Sequence, residues 1–261
     1  MLLFLIEIRM SASTVPHPGG YRFLPGIDAY SSGVIAEAGF EIVHVTLSDP
    51  LDWQQGLKAV GEFVRSLDRP LHSICGIELR CPQPHTMDGF VEFNQQYRSV
   101  LEEWDVMADG VNPVARTNVA PVVNPPEVTQ VHGFSYTIPS DSPGGTFVVA
   151  GAGELPTRRL DATRILNAGR TDAEAMQEKA DCVLGILQHR LEKLQADPGR
   201  ISTIDVYTAH PLHHLLQPQI CAKLPRAAVR GVQWYLSRPP IVDIEFEMDL
   251  RGVRQEFVVE L

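Results

Sequence analysis

One seven-residue segment constrains the chain more than any other. Pro139-Ser-Asp-Ser-Pro-Gly-Gly145 sets two prolines and two glycines among short polar residues. Neither a helix nor a strand passes through such a run, so it marks a boundary. The pattern before it recurs after it. Alternating Phe40–Leu47 reads as a strand, and Leu57, Val60, Phe63 and Val64 give Trp53–Leu67 a helical stripe. Leu71–Leu79 reads as a buried strand interrupted by Gly76, and Asp88–Trp104 as a second amphipathic helix. Pro113–Val123 and Val128–Ile138 are extended. Past the breaker, Thr146–Glu154 predicts a strand, Thr171 to about Gln195 a long helix, and Ile201–Ala209 a strand. His210–Lys223 predicts a short helix, with Val229–Ser237 and Ile241–Leu250 as closing strands. Each half reads strand–helix–strand–helix–strand–strand: an α+β unit, a mixed sheet with two helices on one face. The expected repeats are 1–139 and 145–261. A sheet face without helices must be buried elsewhere, which predicts a homo-oligomer.

Composition narrows the function. The 261 residues are 44% hydrophobic and carry a formal net charge of -10. With no Lys/Arg run, an acidic surface argues against nucleic acid. The opening Met1–Ile8 is apolar but too short to span a bilayer and has no basic residues ahead of it, so no export signal or membrane anchor is read and a cytoplasmic location is expected. Cys75, Cys81, Cys182 and Cys221 form no Cys-x-x-Cys pair and read as reduced packing residues rather than nucleophiles. His210 and His214 have i, i+4 spacing, but no Glu lies between them and a proline interrupts the segment, so no metal is expected.

Local motifs then point to a family. Leu224-Pro-Arg-Ala-Ala-Val-Arg230, Arg238-Pro239 and Asp243-Ile-Glu245-Phe-Glu247 resemble the C-terminal signature of the RidA (YjgF) superfamily. Phe93-Asn94-Gln-Gln-Tyr97 is similar to its Asn-x-x-Tyr helix, Pro113-Val-Ala-Arg116-Thr-Asn118 to its arginine strand, and Thr146–Gly151 to its glycine-ended strand. Cys75–Arg80, Asn112–Val119 and His132–Tyr136 resemble the two-repeat deaminases of nitroaromatic breakdown that act on 2-aminomuconate or 2-amino-5-chloromuconate. The resemblance implies tandem RidA-like (chorismate-mutase-like) repeats, assembly as a trimer, and cofactor-free hydrolysis of an enamine or imine acid with ammonia release.

It also implies a site. Counted without gaps, Arg230 falls on the carboxylate-binding arginine and Glu245 on the water-activating glutamate. In the first half the arginine is Arg116, while the acid position holds Val131. Asn94, Tyr97, Asn118 and Gly151 are expected near a small-molecule carboxylate, with the Gly151 N–H facing it. His132, flanked by Val131 and Gly133, joins as a proton carrier near neutral pH. An arginine suits the task because its planar fork holds a carboxylate by two parallel hydrogen bonds and keeps its charge. Neither half carries a complete set, so a composite site is expected, between repeats or between chains. Plainer readings exist for each residue: Arg116 as a surface residue on a strand edge, Asp243 through Asp249 as a solvated strand face. Two rival functions stand beside deamination: a chorismatase-like enzyme acting on a cyclic diacid, and a non-catalytic RidA-like binding protein.

Overall fold

The computed structural model describes residues 13–142, 145–157 and 159–261. The apolar Met1–Ile8 and part of the breaker lie outside these. Three short strands open the described chain: β1 (Val15–His17), β2 (Tyr21–Leu24) and β3 (Gly33–Ala36). There follow β4 (Phe40–Asp52), α1 (Trp53–Ser66), β5 (Ile74–Arg80), α2 (Met87–Glu103), β6 (Ala115–Pro121) and β7 (Gln130–Pro139). Beyond the breaker come β8 (Phe147–Gly153), α3 (Ala173–Leu194), β9 (Thr203–Tyr207), α4 (His213–Leu215) and α5 (Pro225–Ala228). The chain closes with β10 (Gln233–Tyr235), β11 (Ser237–Arg238), β12 (Glu247–Gly252) and β13 (Gln255–Val259).

The longer helices begin where a side chain satisfies their free amides. Asp52 caps α1 through the amide of Gln54 (3.0 Å), Thr86 caps α2 through Gly89 (3.1 Å), and Asp172 caps α3 through Ala175 (3.1 Å). The segment expected as one short helix from His210 is broken up. After α4 it widens into a π-turn at Leu216–Cys221, around Pro218, which has no N–H to donate.

Thirteen strands among the described residues build two mixed sheets, ordered β1-β2-β3-β8-β12-β9-β10 and β11-β6-β5-β7-β4-β13. Within them β6-β5-β7-β4 and β10-β9-β12-β8 follow the same order. The senses agree as well: β5 and β6 are parallel, as are β9 and β10, and the other pairs in each set are antiparallel. The halves also exchange strands. β3 pairs with β8, carrying the N-terminal strands onto the second half's sheet, and β13 returns to pair with β4. Sequence patterning did not show β1–β3 and β13, because strands of three to five residues hold too few alternations to register.

Helices α1 and α2 cover the outer face of the six-stranded sheet, burying Leu57, Val60 and Val64 among its core residues. Helix α3 covers the seven-stranded sheet. The two helix-free faces turn toward each other. Tyr21 Oη donates to the Ile74 carbonyl (3.1 Å), and Arg251 Nη1 to Glu78 Oε1 (2.8 Å), both across the gap. The surface that was expected to need other copies is therefore buried within one chain. Part of this middle layer is apolar, with Phe23, Val34, Ile42 and Ala150; the rest is charged. No helix among the described residues is long and apolar enough to cross a membrane.

Candidate active site

Arg116 is the second residue of β6. Its guanidinium reaches helix α2, where Phe90, Phe93, Asn94 and Tyr97 recur at helical spacing and share one face. The charge lies 4.7 Å from the centres of both the Tyr97 and Tyr30 rings, with Phe90 and Phe93 at 5.5 and 5.7 Å. Ring faces attract a cation at these distances. Asn94 Oδ1 accepts from Arg116 Nη2 at 2.6 Å. Yet Arg116 is only 2% exposed, its Nη1 has no hydrogen-bond partner, and among the described residues no carboxylate forms a salt bridge with it. A buried cation without an anion is costly, and here the aromatic rings compensate it only in part.

The opposite wall comes from the other half. Gly151 on β8 lies where a side chain would overlap Glu247 Oε1 from β12, so the glycine gives that carboxyl its place. Glu247 is 5% exposed. Burial first, then the neighbouring charges of Asp249 and Glu154, push its carboxyl well above the ordinary range, which favours its protonated form. Arg190, about one turn before the C-terminal end of α3, donates from Nη1 to the carbonyls of Ala150 (2.8 Å) and Gly151 (3.2 Å). The walls are joined by Thr117, whose hydroxyl accepts the Gly151 N–H (3.1 Å) and donates to Asp249 Oδ2 (2.7 Å).

Between the walls lies a cleft open to solvent, with about 740 Å³ of empty space including the solvent at its mouth. Arg116, Asn118, Glu247, Arg190 and Tyr30 supply its polar lining; Ile241 and Ile244 supply part of its apolar lining. The first half supplies Tyr30, Arg116 and Asn118, and the second half supplies Arg190 and Glu247.

The structure brings Arg116, Asn118 and Gly151 together at this cleft, with Asn94 and Tyr97 behind the arginine. The Gly151 amide does not face the cleft as a free donor, because Thr117 holds it. The remaining expected residues stand elsewhere. Glu245 lies before β12 and accepts from His210 Nε2 at 2.8 Å. Its own amide and that of Phe246 donate to the buried Glu154, at 2.7 and 3.1 Å. Residues 241–246 are thus a pinned loop and not the start of a strand, and the acid that reaches the cleft is Glu247, two residues on. Far from forming a solvated face, Glu247 and Asp249 are both buried. Arg230 sits on an exposed turn after α5 and donates to the Ile201 carbonyl (3.1 Å). His132 packs near Arg80, Glu78 and Arg251, and burial followed by the Arg80 charge lowers its pKa to about 4. A histidine so depressed is neutral at pH 7 and no proton carrier there. Glu154 pairs with Lys179 at 2.8 Å, both fully buried. Cys81 is pushed up to about 12 and Cys75 higher still by burial, so neither offers a thiolate.

Sequence reasoning missed Glu247 as the cleft acid, Arg190 and Tyr30. Glu247 was visible in the same motif two positions away. Arg190 carried no signal, being one charge among several on a long helix, and Tyr30 lies in the N-terminal segment that showed no periodicity.

The sequence profile described as 2-aminomuconate deaminase CnbZ matches residues 14–257. The chain belongs to this family. The matched span of this CnbZ-family member takes in both walls of the cleft. A curated relative, 2-amino-5-chloromuconate deaminase from Comamonas testosteroni, is 35% identical over 253 residues, covering 96% of this chain and all of that protein. Among solved structures, a chorismatase aligns with a TM-score of 0.47 at 12% identity, covering 93% of this chain and 89% of the other. A cyanuric acid hydrolase from A. caulinodans aligns with a TM-score of 0.40 at 8% identity, covering 82% and 66%.

Proposed function

We propose that this CnbZ-family chain hydrolyses a 2-aminomuconate, an enamine dicarboxylate, releasing ammonia. The observation that carries the reading is the buried Arg116, whose Nη1 has no hydrogen-bond partner, facing a cleft that also holds the buried carboxyl of Glu247. The arginine takes one substrate carboxylate in a two-pronged hydrogen bond, and this anion supplies the missing charge. Arg190 adds a second positive charge to the cleft, which suits a substrate with two carboxylates.

In its imine tautomer the substrate carries a C=N bond at C2. Water oxygen bonds to C2 while the C=N electron pair moves onto nitrogen. The nitrogen takes the Glu247 proton, and the attacking water returns a proton to the carboxylate so formed. In the second step the carbinolamine hydroxyl gives up its proton, which passes through Glu247 to nitrogen. The C–N bond then breaks and the C=O bond forms. Imine and water become ketone and ammonia, with no change of oxidation state, so the balance closes without a cofactor. A carboxyl whose protonated form is favoured by burial suits this order of events. The matching strand order of the two sheets supports tandem RidA-like repeats as the scaffold.

Ammonia release and ultraviolet absorbance with freshly generated 2-aminomuconate test the reading. Wild-type protein accelerates both over the spontaneous reaction, and Arg116→Ala does so far less. A wild type no faster than the spontaneous rate would overturn it.

A further inference from the structure

Asn118 follows Arg116 by two residues on β6, on the same face of the strand, and lines the same cleft. It is 2% exposed, and neither Oδ1 nor Nδ2 has a hydrogen-bond partner. Buried carboxamides almost always satisfy at least one end, and leaving both unmade is unfavourable. Whatever completes Asn118 must therefore enter the cleft, and it must both donate and accept.

That requirement separates Asn118 from its neighbours. Guanidinium groups only donate, so Arg116 and Arg190 can hold carboxylates and nothing that needs an acceptor. The Glu247 carboxyl is already assigned to proton transfer. Ser32 already donates to the Pro25 carbonyl (3.4 Å). In an amino-dicarboxylate the hydrogen-bond donor is the nitrogen on C2, two bonds from the carboxylate carbon. An arginine and an asparagine side by side on one strand face match a carboxylate and an amino group side by side on one substrate.

We propose that Asn118 is the residue that recognises the reacting C2 centre, a reading that rests on the deaminase assignment. Oδ1 accepts an N–H of the substrate nitrogen, and Nδ2 donates to the oxygen that water brings to C2. The first bond stabilises positive charge as the nitrogen takes its proton, and the second is made only once the C–O bond begins to form. Asn118 therefore acts more on the transition state than on binding. After ammonia leaves, no N–H remains for Oδ1, and the product is held less well than the substrate. The same logic makes the amino group matter to turnover more than to ground-state binding, which the substrate carboxylates and the arginines supply.

The test compares two ligands in wild type, Asn118→Leu and Asn118→Ser. One is 2-aminomuconate, followed by ammonia release. The other is cis,cis-muconate, the same diacid without nitrogen, followed by calorimetric binding. In Asn118→Leu, kcat for 2-aminomuconate falls by about 10²-fold or more, and in Asn118→Ser by less. Muconate affinity stays within about 3-fold in both, because its carboxylates meet the arginines. Wild-type turnover in both variants would overturn the proposal, as would loss of muconate affinity in proportion to lost turnover, the mark of a structural role. A wild type that neither releases ammonia nor binds muconate would overturn the deaminase reading and this proposal together. Normal wild-type turnover with unaffected variants would remove only the role of Asn118.

Discussion

The two four-strand cores share one order and one set of strand directions, yet they contribute opposite chemistry. The first supplies positive charge and a carboxamide from β6, Arg116 and Asn118. The second supplies a glycine and an acid from β8 and β12, Gly151 and Glu247. Each half taken alone lacks what the other provides. The strand that matches β6 is β10, Gln233–Tyr235, which holds no arginine, and β7, which matches β12, has Val131 and His132 where an acid would be needed. Matching strand order does not carry a matching set of side chains.

The largest expected contrast lies between the two arginines. Arg116→Ala lowers kcat/KM by about 10³-fold, the order expected when a buried, charge-assisted contact to a carboxylate is lost. Arg230→Ala, on an exposed turn, changes it by less than about 2-fold. Steady-state ammonia release on both variants checks this, and comparable losses from the two would dissolve the assignment of the cleft to one side.

Next come the two glutamates. Glu247→Gln lowers kcat by about 10²- to 10³-fold, as for loss of a general acid, whereas Glu245→Gln stays within about 5-fold. Stability provides a second reading of Glu247. Its native carboxyl holds a proton that the unfolded chain gives up as pH rises above the ordinary value of 4.5. The native state thus binds more protons than the unfolded state there, and stability falls as pH rises. The glutamine variant lacks this dependence, so its melting temperature gains on wild type as the pH is raised. A constant gap between the two melting curves would argue that Glu247 is ionised in the fold.

Gly151→Ala sharpens the comparison between walls, because the added methyl overlaps the Glu247 carboxyl and not Arg116. It costs about 1–3 kcal/mol of stability and lowers kcat, leaving muconate affinity largely intact. Thermal melts beside kinetics would show it; a fully active alanine variant would mean that the carboxyl can sit elsewhere.

The smallest effect belongs to the charged layer between the sheets. His44 and His132 both have pKa values lowered to about 4, by burial first. Their unfolded forms take up protons near 6.5 while the native forms do not. Their contribution is full above 6.5 and is lost as pH falls from 6.5 to 4, by at most about 1.4 kcal/mol per pH unit for each group. Replacing His132 with Gln flattens part of this acid limb in melting experiments and leaves turnover at pH 7 within about 3-fold.

Much of this molecule was present in local patterning. The breaker at residues 139–145, the helical stripes of α1, α2 and α3, and the shared element order all followed from periodicity and turn chemistry, which act over a few residues. Asn94, Tyr97, Arg116 and Asn118 were singled out by the resemblance and not by periodicity, and the fold places them on one face of α2 and one face of β6. What only the tertiary structure decided depends on contacts distant in sequence. Glu154, more than 90 residues from the loop it holds, accepts the amides of Glu245 and Phe246 and delays β12 until Glu247. That shift moves the cleft acid by two positions, a difference that gap-free counting along a motif cannot detect. The exchange of β1–β3 and β13 between sheets and the arrival of Arg190 beside Gly151 have the same cause: strand pairing and layer packing choose partners by surface fit, and sequence neighbours do not record that choice.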